Sequence, residues 1–529
     1  MKNLYICSAL GLLLAFSSCQ KLDQFPLDAT TENNFWNTED ETLYAVTGLY
    51  NGWENGSQIF YMDCVSDNSR SDFPWENFQA LGNGTATPTD AGNAKDRYTY
   101  EHIRRANWIL ENIGKAPIEE SLRERLMGEV RTIRAYRYLD MAILFGDVPI
   151  ITETTTPEES FIKASKRSEV FKFVEDELRA AADLLPEVYG NADKGRMSKG
   201  AALGFLARAY AFQNKHEEVK KTTDEIIALG QYSLFNDYAE LFEEANENNG
   251  EVIADIQYIA KSQGYTSLGI MLPVTLGGWS SIVPTQSLVD AYETIEGYTI
   301  TESGSNHNPA QPHHNRDPRL AATIVYPGAL YAGAYFDSIN ENSKAHPQGS
   351  DNSSSTSYNY KKYIQDPKRY GDIWDVGTNI IVMRYAEVLL LNAEARIELN
   401  QIDNEVYKNI DLVRQRVNMP KVNQAVYSSQ NKLRDLVRRE LRVELAGEGR
   451  RHFDIIRWGI AKDVMNGPVY GGLSKGTVDT ETGKVTYSSL TDRFFIENRV
   501  FEEGKNELWP IPQSVIDNSK NTLHQNSGY

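Results

Sequence analysis

Two stretches of the sequence bring flat apolar rings together with short polar side chains. Residues 61–79 read YMDCVSDNSRSDFPWENFQ and combine Tyr61, Phe73, Trp75 and Phe78 with Asp67, Asn68, Arg70 and Asp72. Residues 277–292 read GGWSSIVPTQSLVDAY and set Trp279 behind two glycines, a loop-forming context that exposes it. A pyranose ring presents C–H faces that lie against aromatic rings, while its hydroxyls want partners such as Asp, Asn and Arg. Trp75 and Trp279 are therefore the expected stacking platforms, with Phe73, Asp67 and Arg70 beside the first. Tyr331 and Tyr335, in GALYAGAYF, are expected either to flank the same site or to pack within short strands. Trp53 and Trp108 lie among helical signals, and Trp509 near the C-terminus; these three are expected to be structural.

Bond-breaking chemistry finds less support. No HExxH, GxSxG, Walker loop or Cys–His pairing is present. A glycosidase needs two carboxylates across a cleft, but with 73 Asp and Glu candidate pairs occur everywhere and decide nothing. His313-His314 beside Asp317 is the best metal-like cluster, and its flanking prolines suggest a solvent-facing loop. Asp67–Asp72 offers oxygen ligands without the glycine and terminal glutamate of an EF-hand loop. No catalytic residue, metal or cofactor is expected.

The N-terminus speaks to compartment. Lys2 precedes an apolar stretch, Ile6–Phe16, too short to span a bilayer, followed by Ser17-Ser18-Cys19. This is the pattern of a bacterial lipoprotein signal at 1–18, with Cys19 as the lipidated residue and 19–34 as a tether. Phe16 stands where leucine is usual. Each buried CH₂ of an acyl chain contributes roughly 0.8 kcal/mol, so a multiply acylated Cys19 anchors firmly. Cys64 is then the sole remaining thiol. With 54 basic against 73 acidic residues and a net charge of −19, nucleic acid and anionic lipid are poor partners.

Helices must carry these loops. Apolar residues at helical spacing predict helices over 39–50, 119–145, 168–185, 198–213, 216–229, 380–418 and 430–447. The hairpins at 198–229 and 385–417 echo one another, with small residues on the first helix and an apolar stripe on the second. That pattern suits tetratricopeptide-like hairpins, or generic antiparallel helix pairs. Gly, Pro, Ser and Tyr rise between 251 and 379 and again over 466–510. The expected fold is mainly α: one domain over 35–529, its helical scaffold at about 35–250 and 380–465, with a loop-rich, partly β cap inserted. Along 438–458 alternating Arg and Glu predict i, i+3 and i, i+4 ion pairs, a structural network and not an acid–base pair of Glu448 and Asp454.

Several segments, in order, resemble the SusD/RagB family of outer-membrane nutrient-uptake lipoproteins: LDQFPLDATTENNFWNTEDETLYAVTGLYN, RTIRAYRYLDMAILFGDVPIITE, MSKGAALGFLARAY, MRYAEVLLLNAEA, RRELRVELAGEGRRHFDIIRWG and LWPIPQSVIDNSKNTLHQNSGY. Ser519 and Ser527 stand where that family usually has proline. The resemblance implies a tetratricopeptide-type scaffold, a non-catalytic surface that captures oligosaccharides, and a SusC-type TonB-dependent transporter as partner. It also implies an anchor in the outer membrane, facing the cell exterior. The family's binding loops vary, so the site residues named above rest on their own chemistry. A surface glycoside hydrolase and a protein-binding helical-repeat scaffold are the alternatives.

Overall fold

The computed structural model describes residues 35–264 and 267–529; the signal at 1–18, Cys19 and the tether at 19–34 lie outside the described residues. The fold is mainly α. Its principal helices are α1 (Glu39–Tyr50), α2 (Glu101–Asn112), α3 (Glu120–Phe145), α4 (Arg167–Leu184), α5 (Lys199–Phe212), α6 (His216–Ala228), α7 (Tyr385–Glu398), α8 (Asn404–Arg416), α9 (Gln430–Glu444) and α10 (Arg451–Arg457). Helix α1 starts on a capping box, Thr38 Oγ1 accepting from Glu41 N while the Glu41 carboxylate accepts from Thr38 N. Helix α3 ends at Gly146, whose φ of +79° suits glycine.

Helices α2 to α6 pack in chain order, each on the next. Helix α6 then packs directly on α7, and α7 on α8 and α9. The two hairpins that echo each other in sequence are thus neighbours in one array. The small residues explain the close approach: Ala201, Ala202, Ala207, Ala209, Ala386, Ala393 and Ala395 are all buried. Asn392 on α7 donates to Thr223 Oγ1 on α6 at 2.9 Å, a polar pin in this contact.

Everything between α6 and α7 is an insertion at that joint. An antiparallel pair closes its base, β2 (Val252–Ile256) on β4 (Ile380–Arg384), with Val252 opposite Arg384 and Ile256 opposite Ile380. The helix expected from 380 therefore starts at 385, because the β-branched run IIV pairs as a fully buried strand. The other sheets among the described residues are also two-stranded, among them β1 (Ser69–Ser71) with β3 (Ile282–Pro284), and β5 (Gly467–Leu473) with β6 (Arg493–Arg499). Asp479–Gly483 forms a turn between strands 476–478 and 485–487.

The ion pairs expected inside 438–458 are mostly made between elements instead. Glu444 on α9 accepts from Arg384 at 2.6 Å and Arg319 at 3.0 Å, and pairs with Arg416. Glu440 meets Arg319 and Arg414; Glu448 meets Arg384 and Lys362. These groups are buried, so every charge is matched where water cannot reach it. The network joins insertion to scaffold. Although burial works against ionisation, Arg416, Arg384 and Arg319 hold the Glu444 carboxyl well below the usual carboxylate range.

Candidate functional site

The three-residue β1–β3 ladder brings the two tryptophan loops together. Ser69 pairs with Pro284 and Ser71 with Ile282, and Asp72 N extends the ladder to Ser281 O at 2.8 Å. The chain leaving β1 and the chain entering β3 therefore meet at one end of the ladder. One carries Trp75, the other Trp279.

Trp75 sits in a 3₁₀ turn, Pro74–Glu76, started by the fixed φ of proline and stopped by Asn77 at φ +67°. Its indole is 73% exposed and lies on Phe73, ring centroids 4.8 Å apart and 17° from parallel. One face is thus supported and the other is open. Ser71 Oγ donates to Glu76 at 3.2 Å, holding the turn against the strand. Burial lifts the Glu76 carboxyl above its ordinary range.

Trp279 is 46% exposed and leans on Trp374, centroids 4.6 Å apart at 50°. The Trp279 backbone N–H donates to Gly269 O at 3.0 Å, and Ser281 N to Ile270 O at 2.7 Å. Glycine is required twice in this crossing. A Cβ on Gly278 would meet Leu272 O at 2.2 Å, and one on Gly269 would meet the Trp374 ring at 2.5 Å. Trp374 was not singled out from the sequence. Its context, GDIWDVG, has the Gly and Asp of an exposed turn, but nothing local ties it to Trp279.

The other expected contacts divide. Arg70 lies on β1, its guanidinium shared between Asp72 and Glu497, while Ser355 N donates to Asp72 at 2.9 Å. Asp67 is buried, and a ligand role for it is corrected: Arg451 reaches it at 2.7 Å and Arg442 at 2.9 Å. Against the effect of burial, these two guanidinium groups hold its carboxyl down to about 2. The same pairing removes Asp67 as a calcium ligand. Tyr331 is also corrected, because its ring is buried and its hydroxyl donates to Ile364 O at 2.8 Å. Tyr335 is half-buried over Gly483, where a Cβ would meet its ring at 2.4 Å. Strand and turn contacts explain both tyrosines.

His313 is not on a solvent-facing loop as expected. It is buried and stacked on Tyr326 at 4.3 Å, and burial together with Arg316 pushes it down to about 3. Asp317 caps the helix Pro318–Thr323 and pairs with Arg319. Among the described residues no group of three or more His, Cys, Asp or Glu could hold a metal ion, and no helix is long and apolar enough to cross a membrane. Trp53 and Trp509 are buried, and Trp108 packs on Phe35 and Trp36.

The model of the SusD family matches residues 236–529, more than half of the chain. The chain belongs to the SusD family. A second family model, described as starch-binding associating with outer membrane, matches residues 22–211. Among curated relatives, this SusD-family chain is 27% identical to SusD-like protein P38 of Formosa agariphila, over 88% of the chain and 92% of the relative. It is 24% identical to a SusD-like protein of Bacteroides ovatus, over 97% and 93%. A SusD-like carbohydrate binding protein from Bacteroides fragilis superposes with a TM-score of 0.83 at 30% identity, covering 92% of this chain and 99% of that one. A second SusD-like protein of that organism gives 0.81 at 29%, covering 96% and 100%.

Proposed function

We propose that this SusD-family protein is a glycan-binding lipoprotein of the outer membrane, anchored through Cys19 and facing the cell exterior. It captures oligosaccharides on the Trp75–Trp279 face and passes them to a SusC-type TonB-dependent transporter. The observation that carries the binding step is the Phe73–Trp75 stack. A mostly exposed indole with one supported face and one open face, at the same ladder end as Trp279, is organised for a flat ligand. Solved structures described as a laminarin binding SusD-like protein and as a surface glycan-binding protein in complex with laminarihexaose share the fold, and support a saccharide as ligand.

Binding without catalysis fits the carboxylates. Those lifted furthest by burial, Asp63, Glu247 and Asp255, are each held by a donor of the fold itself: Gly447 N, Asn379 N and the Asn379 side-chain amide. The scaffold helices form the lasting contact with the transporter, and the cap meets sugar. Affinity in the micromolar to millimolar range corresponds to roughly 4–8 kcal/mol. The test is affinity electrophoresis across a glycan panel, alongside a reducing-sugar assay. Retardation by at least one glycan without release of new ends is expected. Sustained release would establish a hydrolase, and no retardation by any glycan would favour a protein-binding scaffold. Recovery of a TonB-dependent transporter with the native lipoprotein checks the hand-over.

A further inference from the structure

The opposite end of the β1–β3 ladder opens onto a cleft of about 510 Å³. It lies between the short helix Gln286–Ala291, Arg442 of α9, and the β5–β6 hairpin. Its size falls within the roughly 300–1,000 Å³ of small-ligand sites. Three guanidinium groups, of Arg442, Arg493 and Arg499, face two carboxylates, of Asp67 and Asp290. That local excess of positive charge stands in a chain whose net charge is −19.

Two of the three arginines are satisfied. Arg499 donates to Glu497 at 2.9 Å and to the carbonyls of Ser66 and Ser69. Arg442 pairs with Asp67 and donates to Asn68 and Ser287. Arg493 is different: half-buried in the cleft wall, its guanidinium makes no ion pair or hydrogen bond among the described residues. Arg493 acts on Tyr358, Tyr487 and His313, none of them an anion at neutral pH; Asp290 and Arg316 act on the same Tyr358, and Asp290 makes no ion pair with Arg493. It stands on β6 opposite Leu473, next to a register irregularity between Arg493 and Phe495. Such bulges re-aim side chains. A guanidinium fork with unmet donors, drawn partly out of water, favours an oxyanion. Beside it Tyr470, 40% exposed and edge-to-face with Phe495 at 6.0 Å, offers an aromatic face, and Gln286 and Asp290 offer acceptors.

We propose that this cleft is a second saccharide subsite, in which Arg493 takes the carboxylate or sulfate group of an acidic sugar while Tyr470 stacks on its ring. The inference rests on the glycan-binding reading and adds a ligand class to it. The acidic surface repels a densely charged polymer, so the fitting ligand carries isolated acidic groups among neutral sugars.

The test is titration calorimetry of the intact protein with matched probes. A neutral oligosaccharide bearing a single uronic acid is paired with its methyl ester, and one bearing a single sulfate with its desulfated form, beside a panel of neutral oligosaccharides. One acidic probe should bind about tenfold more tightly than its neutral counterpart, with the preference shrinking as salt rises. The carboxylate and sulfate arms identify the group. Arg493→Met should abolish the preference while leaving neutral binding and thermal stability unchanged, and Arg493→Lys should retain part of it. Equal binding of acidic and neutral probes, or a preference that survives Arg493→Met, would overturn the subsite alone. Absence of binding by any probe or panel member would overturn the glycan reading and the subsite together.

Discussion

Replacing Trp75 by alanine removes the open face and leaves the support, Phe73, in place. An aromatic side chain buries 150–250 Å² when fully covered, so a sugar on one face covers roughly 70 Å². At about 25 cal/mol per Å² that is about 1.8 kcal/mol, a roughly twentyfold loss of affinity. Trp279 is less exposed, 46% against 73%, so its removal should lose about 1 kcal/mol, or roughly fivefold. Stability should barely respond. The lost Phe73 contact contributes about 0.5–1.5 kcal/mol, and unfolding entropy for a chain of this length is about 1 kcal/mol/K. The midpoint should therefore move by about 1 °C. Calorimetric titration with a glycan identified on the panel reads the affinity, and differential scanning calorimetry reads the midpoint. Full affinity in both Trp75→Ala and Trp279→Ala would place the sugar elsewhere. A midpoint drop of several degrees in Trp75→Ala would mean that the indole is structural.

Three further outcomes follow from the geometry. Glu444→Gln removes the carboxylate at the centre of three buried guanidinium groups, a change expected to cost about 3–5 kcal/mol. That is a midpoint drop of about 4 °C, and a change under 1 °C would show the network to be dispensable. Burial raises Asp63 and Glu247 to about 7 and Asp255 to about 6, each above its unfolded value. Their stabilising contribution is present below about pH 4 and is lost as pH rises to these folded values, so the midpoint should fall between about pH 4 and 7 and level off above. Asp63→Asn, which can still accept from Gly447 N, should flatten that slope; an unaltered slope would clear Asp63 of it. Gly278→Ala drives a methyl group into Leu272 O and should weaken glycan binding at least as much as Trp279→Ala, read by the same titration. Unchanged affinity would detach Trp279's loop from the site.

The helices were legible because periodicity is local. The spacing of apolar residues located α3, α5 and α9 to within a few positions, and the Ala-rich first helices announced the close contact between hairpins. Long-range partners leave no such trace. Arg438–Trp458 carries the right composition for intrahelical pairs, yet Arg384, Arg319 and Arg416 arrive from elsewhere in the chain to claim Glu444. Asp67 failed as a ligand for the same reason, since Arg451 lies far along the sequence. The exposed platforms were recognisable from Pro74 and Gly277-Gly278, residues that force turns. Trp374 and Arg493 were missed because their significance lies in a neighbour or in the lack of one.

The β1–β3 ladder has one more consequence. Because it joins residues 69–71 to residues 282–284, neither tryptophan loop has its counterpart until the insertion has closed on the N-terminal segment. The face proposed to bind glycan is a property of the finished molecule and of no fragment of it. The fraction of a preparation that binds glycan thus also measures the fraction whose cap has docked, so binding stoichiometry doubles as a quality assay for folding.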